Sequence, residues 1–231
     1  MKKNAYIGIS FIILVFGIWF VPKIVDQIQN RSWVESDRMS KKDLAYIKLN
    51  GEPKKVPEFV LTNQDNLPIT NDDFLGKVFV VEFFFTTCPT ICPKMNQNMK
   101  RLEKAFGHRE DFGIASVTID PETDTPEQLK RYAESYEVFS SNWHFLTGPQ
   151  DYIYGLANTG FNIFAGINPN VAGGFEHQGY FALVDKKGYL RSRTDAHGNP
   201  IVYYLGIDED DVPEQGTDML LKDIKKLLDD E

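Results

Sequence analysis

One continuous run constrains this chain more than any other: Val78-Phe79-Val80-Val81-Glu82-Phe83-Phe84-Phe85, followed by Thr86-Thr87-Cys88-Pro89-Thr90-Ile91-Cys92-Pro93. Apart from Glu82, the first part is apolar on both alternating faces. That is the pattern of a central strand covered on both sides. From Pro93 onward, Met95, Met99, Leu102 and Phe106 recur at helical spacing, and Gly107 stops the pattern. A chain built on this unit has to bury the strand in a sheet and leave Cys88 and Cys92 where the strand exits. These are the only two cysteines in 231 residues. They are too few for a disulfide framework and leave three options: a clip, a redox pair or part of a soft metal site.

The rest of the chain supplies the layers. Val60 to Ile69 reads as a hairpin turning at Asn63-Gln64-Asp65-Asn66. Phe112 to Ile119 is a second apolar strand. Thr125 as N-cap and Pro126 at the first helical position start a helix carrying Leu129, Tyr132, Ala133 and Tyr136. Trp143 to Thr147 is a short strand, and Gln150 to about Phe164 reads as a helix. Tyr180 to Leu190 is a hairpin turning at Lys186-Lys187-Gly188, and an amphipathic helix runs from Thr217. Alternating βα units ending in a hairpin predict an α/β domain with a central mixed sheet flanked by helices. A thiol pair at the carboxyl end of the first βα strand matches a thioredoxin-like fold.

The amino terminus is different. Ala5 to Val21 carries no charge and follows Lys2-Lys3. At about 1.5 Å per residue such a helix reaches roughly 25 Å, close to the hydrocarbon core of a bilayer. Trp19 and Phe20 suit a membrane interface, and no small-residue cleavage site follows. The expectation is an N-terminal transmembrane helix within an anchor over residues 1–22, a tether over 23–52 and a folded domain over 53–231. Residues 5–21 would contact the lipid bilayer, and the domain would lie outside the cytoplasm, where disulfides are permitted. The net charge of −8 with dispersed Lys and Arg argues against a nucleic-acid partner.

The thiols sit where a following helix would stabilise thiolate, which is both the nucleophile and the metal ligand. Their C-x-x-x-C spacing is one residue longer than the thioredoxin-type motif, which disfavours a general disulfide exchanger. Of the four histidines, His108 follows a helix end, His144 lies in an apolar strand and His197 sits in a turn. His177 lies in Gly173-Gly174-Phe175-Glu176-His177-Gln178-Gly179, just before a strand. Two thiolates and one imidazole would make a soft site, favouring Cu(I) or Zn(II) over hard cations.

At this point the chain resembles the Sco/SenC family of copper-binding, thioredoxin-fold proteins, over most of residues 54–231. Thr86-Thr87-Cys88-Pro89-Thr90-Ile91-Cys92-Pro93 is similar to the family's T-x-C-P-x-x-C-P motif. Ser116 to Pro126 resembles its aspartate block, and Trp143 to Gly148 its W-x-x-L-T-G strand. The resemblance implies copper held by Cys88, Cys92 and His177, with zinc less favoured. It places Asp120, Asp124 and Glu176 around the site or at a partner contact. It implies delivery of copper to, or thiol maintenance of, the dinuclear copper site in subunit II of cytochrome c oxidase, on the periplasmic side, with a thiol–disulfide reductant as a second partner. A metallochaperone, a thiol–disulfide reductase and a copper or redox sensor all use the two cysteines; only copper holding needs His177. Two departures stand out: Gln178 where the family has serine after the histidine, and the long acidic segment Asp208-Glu209-Asp210-Asp211.

Overall fold

The computed structural model describes residues 14–21 and 44–230. Residues 14–21 and residues 44–230 belong to two separate units. In the first, residues 14–21 are helical (α1), and Phe16 stacks on Phe20 with ring centroids 4.1 Å apart. No helix among the described residues is long and apolar enough to cross a membrane. The anchor expected over residues 5–21 lies outside the described residues as far as residue 13.

The second unit begins earlier than expected. Of the tether expected over 23–52, the part from Leu44 belongs to the folded unit. β1 (Ala45–Tyr46) pairs with β12 (Leu190–Ser192). Leu44 is buried, its carbonyl accepts from Arg191 Nη2 at 2.6 Å, and the Arg191 guanidinium lies 4.0 Å from the Tyr46 ring centre. Arg191 is itself fixed by Asp185 at 2.9 Å. This buried ion pair sits among apolar residues and is invisible to a composition-based reading. β2 (Lys48–Leu49) and β3 (Glu52–Pro53) form a small ribbon of their own.

The main sheet is centred on β6 (Val78–Phe84), every residue of which is buried. It runs parallel to β7 (Phe112–Thr118), from Val78 opposite Phe112 to Phe84 opposite Thr118. β7 runs parallel to β8 (Trp143–Thr147), and β8 is edged by the hairpin β4 (Val60–Asn63) and β5 (Pro68–Thr70). On the other side β6 meets β11 (Tyr180–Val184) antiparallel, with Ala182 opposite Val81, and β11 continues into β12 and β13 (Tyr204–Leu205). This is the mixed α/β architecture expected from the sequence.

Both faces of β6 are covered, as its double-sided apolarity requires. Phe84 packs on Tyr132 of α3 (Pro126–Ser135) and on Phe145 of β8. Asn96 of α2 (Cys92–Phe106) donates to the Tyr132 hydroxyl at 3.1 Å, so α2 and α3 share a layer. On the opposite face Phe83 meets Phe161, and Phe79 stacks on Phe74. Thr125 caps α3 through Gln128 N–H, as its position before Pro126 predicts. The last helix, α5 (Gly216–Asp230), packs against α2 and β6. The helix expected from Gln150 to about Phe164 is in fact two pieces. α4 (Gln150–Gly155) passes into a π-helical turn, Leu156–Phe161, which ends at Asn162 with φ of 56°.

Glu82, the one polar residue of β6, is fully buried on the face shared with Phe84. The Ser116 hydroxyl donates to its Oε1 at 2.6 Å and itself accepts from Trp143 Nε1 at 3.0 Å. Burial raises the carboxyl to about 7, partly opposed by the Ser116 bond. A folded-state value above the unfolded one means the stabilisation is complete below about pH 4.5 and is lost as pH rises through about 7. Thermal melts of the wild type should therefore fall between these limits. Glu82→Gln should flatten that fall, the difference reaching about 3 kcal/mol from a shift of this size. Parallel pH profiles for the two proteins would contradict this account of Glu82.

Candidate metal centre

The cysteine loop is fixed by residues that do not touch sulfur. Past Phe84 the chain leaves the sheet, and Thr86 is seized by Asp124 from the loop after β7. Asp124 Oδ2 accepts the Thr86 backbone N–H at 3.0 Å, and Oδ1 accepts the Thr86 hydroxyl. The Thr118 hydroxyl at the end of β7 donates to the same Oδ2. Asp124 is fully buried, and burial pushes its carboxyl up while the Thr118 and Thr86 bonds pull it back. Its role in the fold is to join the exit of β6 to the exit of β7; the capping role belongs to Thr125. Asp120 is buried as well, and its Oδ1 accepts Thr123 N–H at 3.4 Å while its carbonyl accepts Asp124 N–H at 2.9 Å. It shapes the turn that presents Asp124.

Cys92 opens α2. The residue before it, Ile91, offers no side-chain cap, and Pro93 follows in the first turn. The free N–H groups of that first turn then favour an anion. Cys88 supplies one. Its thiol is pulled down to about 3, first by a hydrogen bond from the Cys92 thiol, against the cost of burial, with further donors in the Cys92 and Thr90 backbone N–H groups. The Cys92 thiol is pushed up, first by that same bond to Cys88 and then by burial. The pair thus shares one proton, held on Cys92. Both cysteines are free, with Cys88 8% exposed and Cys92 fully buried.

His177 arrives from β10 (Phe175–His177), which pairs antiparallel with β9 (Ala165–Ile167), placing His177 opposite Ala165. This ribbon did not show in the sequence as strands. Alternation along it buries His177 and turns Glu176 outward, where its carboxylate accepts from Asn168 Nδ2 at 2.8 Å. The imidazole stands edge-on to Phe85, with ring centres 6.0 Å apart. Its Nδ1 lies 3.2 Å from the Gln178 carbonyl and its Nε2 3.2 Å from Cys92 Sγ. A carbonyl only accepts, so Nδ1 carries the proton and Nε2 turns its lone pair to the sulfur. The ligand atoms of Cys88, Cys92 and His177 all lie within 4.8 Å of one another.

The loop between β9 and β10 packs over this cluster. Gly173 has φ of 89°, and a Cβ there would meet the Phe85 ring at 2.8 Å and Pro89 at 3.3 Å, so glycine permits the close approach. A small cleft of about 180 Å³ leads in past Ile91, Val171, Phe175 and Glu176 to Cys88 and His177. Cys92 lies behind them. A larger groove of about 640 Å³, near Pro57 and Tyr152, offers no thiol or imidazole. Two thiol sulfurs and an imidazole nitrogen beneath aromatic walls form a soft, low-coordinate donor set.

Three of the six residues singled out from the sequence, Cys88, Cys92 and His177, meet at one point. Asp120 and Asp124 support the cysteine loop, and Glu176 stands at the rim of the cleft. The remaining histidines take other places. His108 and His197 are exposed, and His144 lies 3.4 Å from Asn63 Nδ2 and edge-on to Phe74. Sequence reasoning missed the clamp by Asp124 and the packing of Phe85 and Gly173; Thr86, two residues before Cys88, and the Gly173-Gly174 pair were the available signals.

Residues 48–209 match the family model described as SCO1/SenC. The SCO1 protein homolog of Bacillus subtilis (strain 168) is 40% identical over 95 residues, or 41% of this chain and 49% of that protein. The chain thus spans about half the length of that relative. A Stutzerimonas stutzeri protein whose description proposes copper binding is 30% identical over 166 residues, 69% of this chain and 78% of that one. Among solved structures, BsSco is 30% identical with a TM-score of 0.61, covering 80% of this chain and 96% of that one. It is described as a member of the Sco family of cytochrome c oxidase assembly proteins with a disulfide switch.

The shared proton yields a direct test. Cys88 should be alkylated by iodoacetamide at a rate nearly independent of pH between 5 and 8, because its thiolate persists throughout, while buried Cys92 stays unmodified in the native protein. Peptide mapping that found Cys92 modified first, or a rate rising tenfold per pH unit, would contradict the assignment.

Proposed function

This chain belongs to the SCO1/SenC family, and we propose that it is a membrane-anchored copper metallochaperone acting in cytochrome c oxidase assembly, holding copper through Cys88, Cys92 and His177. The observation that carries this reading is the convergence of two thiol sulfurs and one imidazole nitrogen, drawn from distant parts of the chain, within 4.8 Å. The copper-binding description of the Stutzerimonas stutzeri relative and the oxidase-assembly description of BsSco support it. The apolar, uncharged stretch Ala5 to Val21 supports anchoring, with the domain on the extracytoplasmic, periplasmic side.

The geometry orders the events. Copper enters through the cleft and meets the Cys88 thiolate first, since Cys92 lies behind. Cys92 then gives up the shared proton to become the second thiolate. His177 contributes Nε2 because the Gln178 carbonyl holds the proton on Nδ1. Loading Cu(I) therefore releases one proton net from the site, where one of the two sulfurs is already ionised. Release to the target begins at the same mouth of the cleft, where an incoming thiolate takes the place of Cys88, the sulfur that lines it. The target is the dinuclear copper site of oxidase subunit II.

A second reading has its own support. An ionised Cys88 beside a protonated Cys92 is the arrangement of an attacking and a resolving thiol. In thiol–disulfide reduction, the Cys88 sulfur would bond to one sulfur of a target disulfide and expel the other as thiolate. Cys92, giving up its proton, would then attack the Cys88 sulfur of the mixed disulfide, expelling the target's remaining sulfur as thiolate and closing an internal disulfide that an external thiol reductant must reopen. The two readings part at His177. His177→Ala should weaken Cu(I) binding by about a hundredfold or more, judged by the loss of one of three ligands, while leaving the Cys88–Cys92 couple able to cycle. Unchanged copper affinity in that variant, measured by competition with a chromophoric chelator, would remove His177 from the site.

A further inference from the structure

The third ligand is carried by a weak element. β9 and β10 form a two-stranded sheet separate from the main one, three residues a side. An isolated ribbon of that size is marginal in water. Yet His177 must be held to within a fraction of an ångström if it is to complete a site with two rigidly placed sulfurs.

Two side-chain amides supply what the ribbon lacks. Asn158, on the π-helical turn, grips Ala165 at both backbone groups. Its Nδ2 donates to the Ala165 carbonyl at 2.8 Å, and its Oδ1 accepts the Ala165 N–H at 3.0 Å. Ala165 is the residue opposite His177. Gln178 holds the preceding residue with one bond from its side chain and one from its backbone. Its Oε1 accepts the Phe164 N–H at 2.9 Å, and its own N–H donates to the Phe164 carbonyl at 3.1 Å. The Gln178 carbonyl also faces His177 Nδ1. The backbone at Phe164 and Ala165 is thereby saturated from both sides, next to the imidazole. Asn158 reaches Ala165 because the helix passes into the wider π turn at Leu156 and is turned out of it at Asn162. Such turns recur at functional sites.

Asn158 and Gln178 are both exposed, so no part of the core rests on them. We propose that Asn158 and Gln178 are positioning residues that fix the β9–β10 ribbon and so aim His177 Nε2 at the two sulfurs. The inference rests on the reading of His177 as a copper ligand.

The test is a Cu(I) competition titration on the reduced full chain, comparing wild type with Asn158→Ala, Gln178→Ala, Gln178→Glu and His177→Ala. The reduction potential of the metal-free Cys88–Cys92 pair is measured alongside. Asn158→Ala and Gln178→Ala should each weaken Cu(I) binding about tenfold, the lower end for residues that orient a ligand. Because His177 Nε2 lies 3.2 Å from Cys92 Sγ, the thiol potential should shift by no more than it does in His177→Ala. Gln178→Glu keeps the acceptor for Phe164 N–H and should bind copper as the wild type does. If His177→Ala binds normally, the ligand reading falls. If His177→Ala is weakened but Asn158→Ala and Gln178→Ala are not, the positioning inference falls and the ligand reading stands. A thiol potential shifted further in Asn158→Ala or Gln178→Ala than in His177→Ala would also overturn it, since the ribbon would then act on the whole site rather than through His177.

Discussion

The parallel pairing of β6 with β7 underlies the rest of this structure. Because the two strands run together from Val78–Phe112 to Phe84–Thr118, their carboxyl ends finish side by side. Cys88 follows one end and Asp124 the other, close enough for one buried carboxylate to bind Thr86 and Thr118 together. The antiparallel neighbour completes the arrangement. β11 begins where β6 ends, so the segment just before it brings His177 to the same edge, 85 residues beyond Cys92. One sheet topology thus gathers two thiols and an imidazole that no local motif could.

The chemistry follows from burial graded across a few ångströms. Cys88 is slightly exposed at a helix start and Cys92 is sealed beneath it, so one proton suffices for two sulfurs. Asp124 is a buried carboxylate satisfied by three donors, and losing it would strand the Thr86 and Thr118 groups, each at a cost of about 1–3 kcal/mol. Rigidity is therefore concentrated on the cysteine side. The histidine side is a short ribbon held by exposed amides.

Much of this was legible in the residues. The double-sided apolarity of β6, the stop at Gly107, and the Thr125-Pro126 cap each have a local physical cause and appear where they predict. The start of the domain did not show. Leu44 to Tyr46 is docked by Arg191 and Asp185, which lie far along the chain, and nothing local marks that contact. The π turn was hidden for a similar reason: Asn158, Thr159 and Gly160 mark a weak stretch of helix but not a widened turn, and Ala165, the partner of Asn158, lies beyond the end of the helix. For the site, the two cysteines announced themselves by rarity and by their place after a strand. His177 needed the family resemblance, because a histidine between glycines looks like any loop residue. Asn158 and Gln178 stayed hidden because amides that bind backbone leave no pattern in sequence.

The central claim is that two sulfurs and one imidazole nitrogen, and no other side chains, hold copper here. X-ray absorption at the copper edge of the reduced, Cu(I)-loaded protein tests it most directly. The account predicts a three-coordinate shell of two sulfurs and one nitrogen, with outer-shell imidazole scattering that disappears in His177→Ala. A shell of sulfur alone, or one in which the imidazole scattering survives that substitution, would contradict it.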